Sequence, residues 1–283
     1  MPDFTFNASA LGAGGIIERG NVTTTIPSLA SVALAPTGGE GRTVLSSYWS
    51  EELSFSHAET RVFGRKTGED TYTTSTYVQI RDLNILGKLM VGDMRATVTS
   101  ERGISGPDDH PFQLEASFDN VRVGRNKIIP HLDVVLSQTQ TYEQFGQLFS
   151  DRAAAAGLPH ARDPHGLAKR FNANSPEELA RVIEQRKPVQ GSLVENVEGL
   201  EAKPVAPTIF VPGLGYVRFA ELMLKPGRRR LNLIRIQFGA KNNAFGAPEP
   251  FMMAMAEEGP QGGPTGGSMT LGSTEGNGIP VEP

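Results

Sequence analysis

The chain has no cysteine, which removes disulfide scaffolds, thiol nucleophiles, iron–sulfur clusters and cysteine-held zinc. No window approaches 18 uninterrupted apolar residues, so no membrane-spanning helix is expected. The start, Met1-Pro2-Asp3-Phe4-Thr5-Phe6-Asn7, carries neither a basic n-region nor a continuous apolar h-region, unlike a secretory signal. A cytoplasmic location is the expectation, with leaderless export left open. Charge of one sign is also lacking: 27 Lys+Arg against 31 Asp+Glu leave a net −4, and no segment is polarised. That balance argues against nucleic acid or an acidic membrane surface as a partner. What remains is 283 residues, 38% apolar and 20% charged, enough for a substantial core without covalent staples.

Period two dominates residues 1–136. Tyr72, Thr74, Thr76, Val78 and Ile80 share one face, and Thr73, Ser75, Tyr77 and Gln79 the other. Met94, Ala96 and Val98 alternate with Arg95, Thr97 and Thr99. This β-branched alternation is the strand signature. Leu114, Ala116 and Phe118 hold one parity and Val121 and Val123 the other, so a bulge or break is expected at Asp119-Asn120. Leu132, Val134 and Leu136 read as another short strand, and further strands are expected near 14–26 and 43–49. Lys66-Thr67-Gly68-Glu69-Asp70 supplies a hairpin loop.

The period changes in 137–190. Tyr142, Phe145, Leu148 and Phe149 recur at helical spacing up to Gly157 and Pro159. Ser175-Pro176-Glu177-Glu178 has the cap, the first-position proline and the capping-box carboxylate of a second helix, which ends near Lys187-Pro188. Strands return in 191–240 around Ile209–Val211, Tyr216–Leu224 and Leu231–Phe238, separated by Pro212-Gly213 and Pro226-Gly227 turns. Residues 241–283 read as a tail. Positions 259–283 hold eight glycines and four prolines, a composition for a flexible segment. Inside the tail, Phe251, Met252, Met253 and Met255 form an apolar patch suited to an irregular groove.

No motif assembles a reaction. Gly12-Ala13-Gly14-Gly15 lacks the Lys-Ser/Thr of a phosphate loop, and no Gly-x-Ser-x-Gly elbow is present. His160, Asp163 and His165 in one loop, and Asp108, Asp109 and His110 in another, have metal-ligand chemistry without a ligand-fixing register. Glu51, Glu52, Glu59, Asp93 and Glu101 make a glycosidase carboxylate pair imaginable, although strands with a solvated face carry such residues anyway. Arg228, Arg229 and Arg230 are the densest basic spot and a possible anion contact; an exposed hairpin tip is the simpler reading. Tyr48 and Trp49 are candidates for stacking on a ligand.

Along the chain stand Phe6-Asn7-Ala8-Ser9-Ala10-Leu11, Ser56-His57-Ala58, Leu83-Asn84-Ile85-Leu86, Arg95-Ala96-Thr97-Val98-Thr99-Ser100-Glu101, Ser117-Phe118-Asp119-Asn120-Val121-Arg122-Val123, Val211-Pro212-Gly213-Leu214-Gly215 and Arg230-Leu231-Asn232-Leu233-Ile234-Arg235, with Gly276-Asn277-Gly278 near the end. In these stretches the sequence resembles an uncharacterised bacterial protein family over most of its length, least so in the helical insertion. Where that family has Phe-Glu-Asn-Leu-Arg this chain has Phe118-Asp119-Asn120-Val121-Arg122, and Glu101-Arg102 stands where Glu-His is common. Chemistry resting on that histidine would not carry over to Arg102. The resemblance implies no activity, cofactor or site residue.

The expected fold is mostly β: an antiparallel sandwich or incomplete barrel, with 1–136 and 191–240 forming one unit, a two-helix insertion at 137–190, and a flexible Gly/Pro-rich tail from 241. The expected function is that of a non-enzymatic structural or interaction protein, a homo-oligomer, with no cofactor. Its contacts would run through the tail patch or through an open strand edge, with Phe4 and Phe6 of the first strand serving a neighbour. The alternatives are a β-domain binding a carbohydrate or small apolar ligand, the ligand itself unknown, and after that a metal-assisted hydrolase.

Overall fold

The computed structural model describes residues 4–104, 110–156, 170–173, 176–199, 207–239, 251–252 and 263–280. Two sheets face each other. The first has eight strands. It runs from β16 (Phe251–Met252) through β13 (Thr208–Val211), β14 (Gly215–Lys225), β15 (Arg228–Phe238), β17 (Gly266–Pro280) and β1 (Phe4–Arg19) to β2 (Val22–Ala33). The far half of β14 pairs with β11 (Val189–Ser192). The second sheet has nine strands. Its path is β12 (Val194–Glu198), β10 (Asn126–Leu132), β9 (Phe112–Val123), β8 (Leu89–Gly103) and β7 (Thr71–Ile85). The remaining side of β7 is shared by β5 (Leu53–Phe55), which carries β4 (Tyr48–Trp49), and β6 (His57–Lys66), which carries β3 (Gly39–Leu45). Every pairing is antiparallel except that of β13 with β16. Among the described residues neither sheet closes on itself, and the protein is a mostly-β, sandwich-like fold.

Among the described residues, three helices stand between β10 and β11: α1 (Val134–Ser137), α2 (Tyr142–Ala156) and α3 (Pro176–Glu184). The insertion packs on the sheets. Tyr142, Phe145, Phe149 and Leu179 are buried in one cluster with Leu222 and Leu224 of β14. A buried ion pair fastens its far end, with Arg170 Nη1 2.9 Å from Asp133 Oδ2 and Arg170 Nη2 donating to the Ser192 carbonyl at 3.1 Å. The second Asp133 oxygen accepts the Leu136 amide at 2.9 Å and caps α1.

Several expectations need correcting. Val134 and Leu136 are helical, not strand, because the Asp133 cap competes with alternation and wins. The single strand expected near 14–26 is two strands, since Gly20 at φ +59 makes the turn between β1 and β2. The chain beyond 241 is not a flexible tail throughout. Residues 266–280 form a fifteen-residue strand hydrogen-bonded between β15 and β1. Its glycines are what the position demands. A Cβ at Gly267 would lie 2.1 Å from the Ile16 carbonyl oxygen, and one at Gly15, across the ladder, 2.4 Å from the Ser268 carbonyl. The turn reading at Pro212-Gly213 holds: Gly213 has φ +73 and the Leu214 amide donates to the Val211 carbonyl at 3.0 Å.

The phase change at Asn120 belongs to a crease that crosses both sheets. Asn120 has φ +52, and the β8–β9 register is the same on either side, Val91 opposite Val121 and Asp93 opposite Asp119. This is a break, not a bulge. On the neighbouring strands the row continues through Gly92 to Asp82, also at φ +52. In the first sheet the matching row is Ala220 (φ +44), Leu233, Gly272 (φ +62), Gly12 and Ala30 (φ +47). Every second strand thus takes a left-handed residue, which inverts side-chain parity without moving the ladder. Buried positions switch accordingly, from Val78 and Ile80 to Leu83 and Ile85 on β7, and from Ala8 and Ala10 to Ala13 and Ile17 on β1. Beyond the crease a second, smaller cluster forms around Phe4, Phe6, Leu34, Val62 and Tyr72. Among the described residues no helix is long and apolar enough to cross a membrane.

Candidate functional site

Strand alternation settles where most of the polar candidates go. Arg228 and Arg230 share a face of β15 and both engage Glu275 of β17, Arg230 Nε at 2.7 Å. Arg229 points the other way and is buried, its guanidinium 4.9 Å from the Phe112 ring and its Nη1 donating to the Lys225 carbonyl at 2.7 Å. The basic spot is therefore engaged by the chain's own groups. On β6, Glu59 is buried beneath two arginines, Arg42 Nε at 2.5 Å and Arg61 Nε at 2.7 Å on the same carboxylate oxygen. The Arg61 hydrogen bond leads in holding this carboxyl down at about 2, against the opposing effect of burial, with Arg42 adding to it. A group ionised so firmly has no proton to give a leaving oxygen at neutral pH. Asp93 accepts from Gln79 at 2.5 Å and faces Arg81 at 3.4 Å.

Phe4 and Phe6 lie in the chain's own core. Phe4 stacks on Tyr72 with centroids 4.2 Å apart, and Phe6 meets Phe4 edge-on at 5.0 Å. Phe251 and Met252 pair in parallel with Ile209 and Phe210, while Met253 and Met255 lie outside the described residues. His160, Asp163, His165, Asp108 and Asp109 are outside them as well, and His110 is buried against Phe112 at 4.6 Å. Among the described residues no three His, Asp or Glu side chains converge as metal ligands.

The sequence reading missed a buried polar network on β14 and β15. Glu221, 2% exposed, accepts from Gln190 and Asn232 at 2.7 Å each and lies 3.7 Å from Arg235. Arg218 donates to Thr208 Oγ1 at 3.0 Å and to Asn172 Oδ1 at 3.1 Å, and burial pushes it down to about 10. The available signal was a charged pair inside the otherwise apolar run Tyr216–Leu224. The Arg218–Asn172 contact ties residues 170–173 to the sheet.

The outward-facing features are strand edges. Tyr48 and Trp49 point to opposite sides of β4: Tyr48 packs on Phe55 at 5.7 Å, and Trp49 is 80% exposed. Arg19 reaches Glu52 at 3.8 Å and brings the β1–β2 turn beside this hairpin. There the outer edge of β2 begins with Val22, which is 64% exposed. Residues 20–39 carry no charged side chain, whereas edge strands ordinarily use charge to repel copies of themselves. The second half of β2 is covered, since Thr43 Oγ1 donates to the Ser31 carbonyl at 3.0 Å and Thr60 Oγ1 to that of Ala30 at 2.9 Å. At the opposite edge of the second sheet, Ile129 on β10 and Val134 and Val135 on α1 are exposed.

Among the described residues, fold and surface together define an open-edged antiparallel sandwich whose buried carboxylates Glu59, Asp133 and Glu221 are engaged within it and whose most exposed apolar side chain, Trp49, sits on an edge. Residues 4–225 match the family described as Domain of unknown function (DUF8256), and the chain belongs to that family. The matched span ends with β14, although β15 and β17 beyond it complete the first sheet. No curated protein and no solved structure matches the chain.

Proposed function

We propose that the protein is a structural module that self-associates into a homo-oligomer through open strand edges. Trp49 carries the reading. It is the chain's only tryptophan, and it stands 80% exposed on the strand where the second sheet ends. An indole of that exposure offers about 4 kcal/mol on burial, at about 25 cal/mol for each Å². Association itself costs at least about 4 kcal/mol, so the indole serves as one anchor within a wider edge contact. The edge is preferred to the tail patch because Trp49 is exposed there, whereas Phe251 and Met252 of the patch pair with β13 of their own sheet.

Light scattering over a concentration series, read together with collisional quenching of Trp49, tests it. A mass above 30.4 kDa that rises with concentration, while Trp49 becomes protected, is the expected result. A strict monomer at high micromolar concentration overturns it. A second reading, a sugar ring stacked on Trp49, draws on the same exposure. Its support is weaker because Tyr48 faces away and supplies no second ring. Quenching that falls on adding soluble glycan at unchanged mass would favour that reading.

A further inference from the structure

We infer that copies of this chain join head to tail, the Trp49 edge of one copy docking on the Ile129–Val134–Val135 edge of the next. This rests on the self-association proposed above and names its geometry. The two apolar patches sit at opposite ends of one sheet. β4 closes one end of the strand order and β10 with β12 the other, five to six strand spacings away, or roughly 24–29 Å. No contact inside one molecule can join patches so placed.

Their charges are complementary. Beside Trp49 the exposed charged side chain is Glu51. Beside Ile129 the exposed charged side chains are Arg125 and Lys127; of the two carboxylates on β12, Glu195 is half-buried and Glu198 is held by His131 at 2.7 Å. A two-fold contact through either patch alone would bring two copies of Glu51, or two copies each of Arg125 and Lys127, into one interface. Head-to-tail docking sets unlike charges together and buries Trp49 against aliphatic side chains. Such a heterologous contact closes into a ring or continues as a filament, depending on the rotation between copies.

The test is complementation with full-length chains. One variant blocks the first edge (W49A/E51K) and another the second (V134K/V135K). Each alone is expected to stay monomeric where the parent assembles. Mixed in equal amounts, they are expected to give a particle of twice the monomer mass and nothing larger, since each retains one working edge. Only the second variant keeps a tryptophan, so a blue shift and quencher protection in the mixture report that single contact. A gentler pair, E51K with K127E, guards against misfolding: each is expected to weaken assembly and their mixture to restore it. A parent that never assembles overturns this inference together with the self-association reading. A parent that assembles with both edge variants still competent, or that is dissociated by V22K/T24K, overturns the head-to-tail geometry alone and assigns the contact to β2.

Discussion

Replacing Gly272 by alanine should cost the fold far more than the same change at Gly87, although the two share nearly the same backbone, φ +62 and φ +65. At either position a left-handed alanine carries about 1–2 kcal/mol of backbone strain. The difference lies in what the new methyl meets. At Gly87, in the turn between β7 and β8, nothing lies within 4 Å. At Gly272 the Cβ would lie 2.6 Å from Leu233 Cδ1 and 3.0 Å from its Cβ and Cγ, and Leu233 is fully buried. Overpacking of that kind adds about 1–3 kcal/mol. Gly272→Ala should therefore lose roughly 2–5 kcal/mol and Gly87→Ala about 1–2 kcal/mol. Urea denaturation at concentrations dilute enough to keep the chain monomeric measures both, with the slope held as a check on two-state behaviour. Equal losses at the two sites would show that Leu233 yields freely, and the account of the crease as a packed row would fail.

Ala30→Gly, at φ +47 in the same row, should be tolerated to within about 1 kcal/mol, because relieved strain offsets the lost methyl; a midpoint falling by more would contradict the strain. Removing Asp133 leaves Arg170 buried without its partner and takes the cap from α1, so Asp133→Ala should cost about 3–5 kcal/mol by thermal or urea unfolding. Glu59 contributes a pH-dependent component: its carboxyl is lowered from 4.5 to about 2 in the fold, so its stabilisation is complete above pH 4.5 and is lost as pH falls toward 2. Unfolding curves of Glu59→Gln should therefore depend less on pH in that window than those of the parent, and parallel profiles would remove the Arg42–Glu59–Arg61 cluster as a source of acid sensitivity.

Much of the architecture was legible because alternation is a local record of burial. Val78 and Ile80 read onto one face and both are buried, and the parity change before Val121 marked the crease from one strand alone. The two longer helices were equally legible, since the aromatic spacing from Tyr142 to Phe149 and the Pro176-Glu177-Glu178 start are written within single turns, while the Ser175 cap lies outside the described residues. The tail was misread for a physical reason. A run holding Gly266, Gly267 and Gly272 has the composition of a flexible linker, yet those glycines permit the close approach of β1 and β15 on either side. Arg228 and Arg230 read as a free basic tip because Glu275, their partner, stands 45 or more residues away.

By itself, then, the chain determined the class of fold, the positions of the two longer helices and of the Pro212-Gly213 turn, and the shortage of catalytic motifs, since each depends on neighbours within a few residues. Tertiary structure decided which charges are paired, which glycines are packed, and which edges stay open. Those outcomes depend on strands brought together across the whole length of the chain, and Trp49, unremarkable in its local sequence, owes its exposure to the strand order that leaves β4 last.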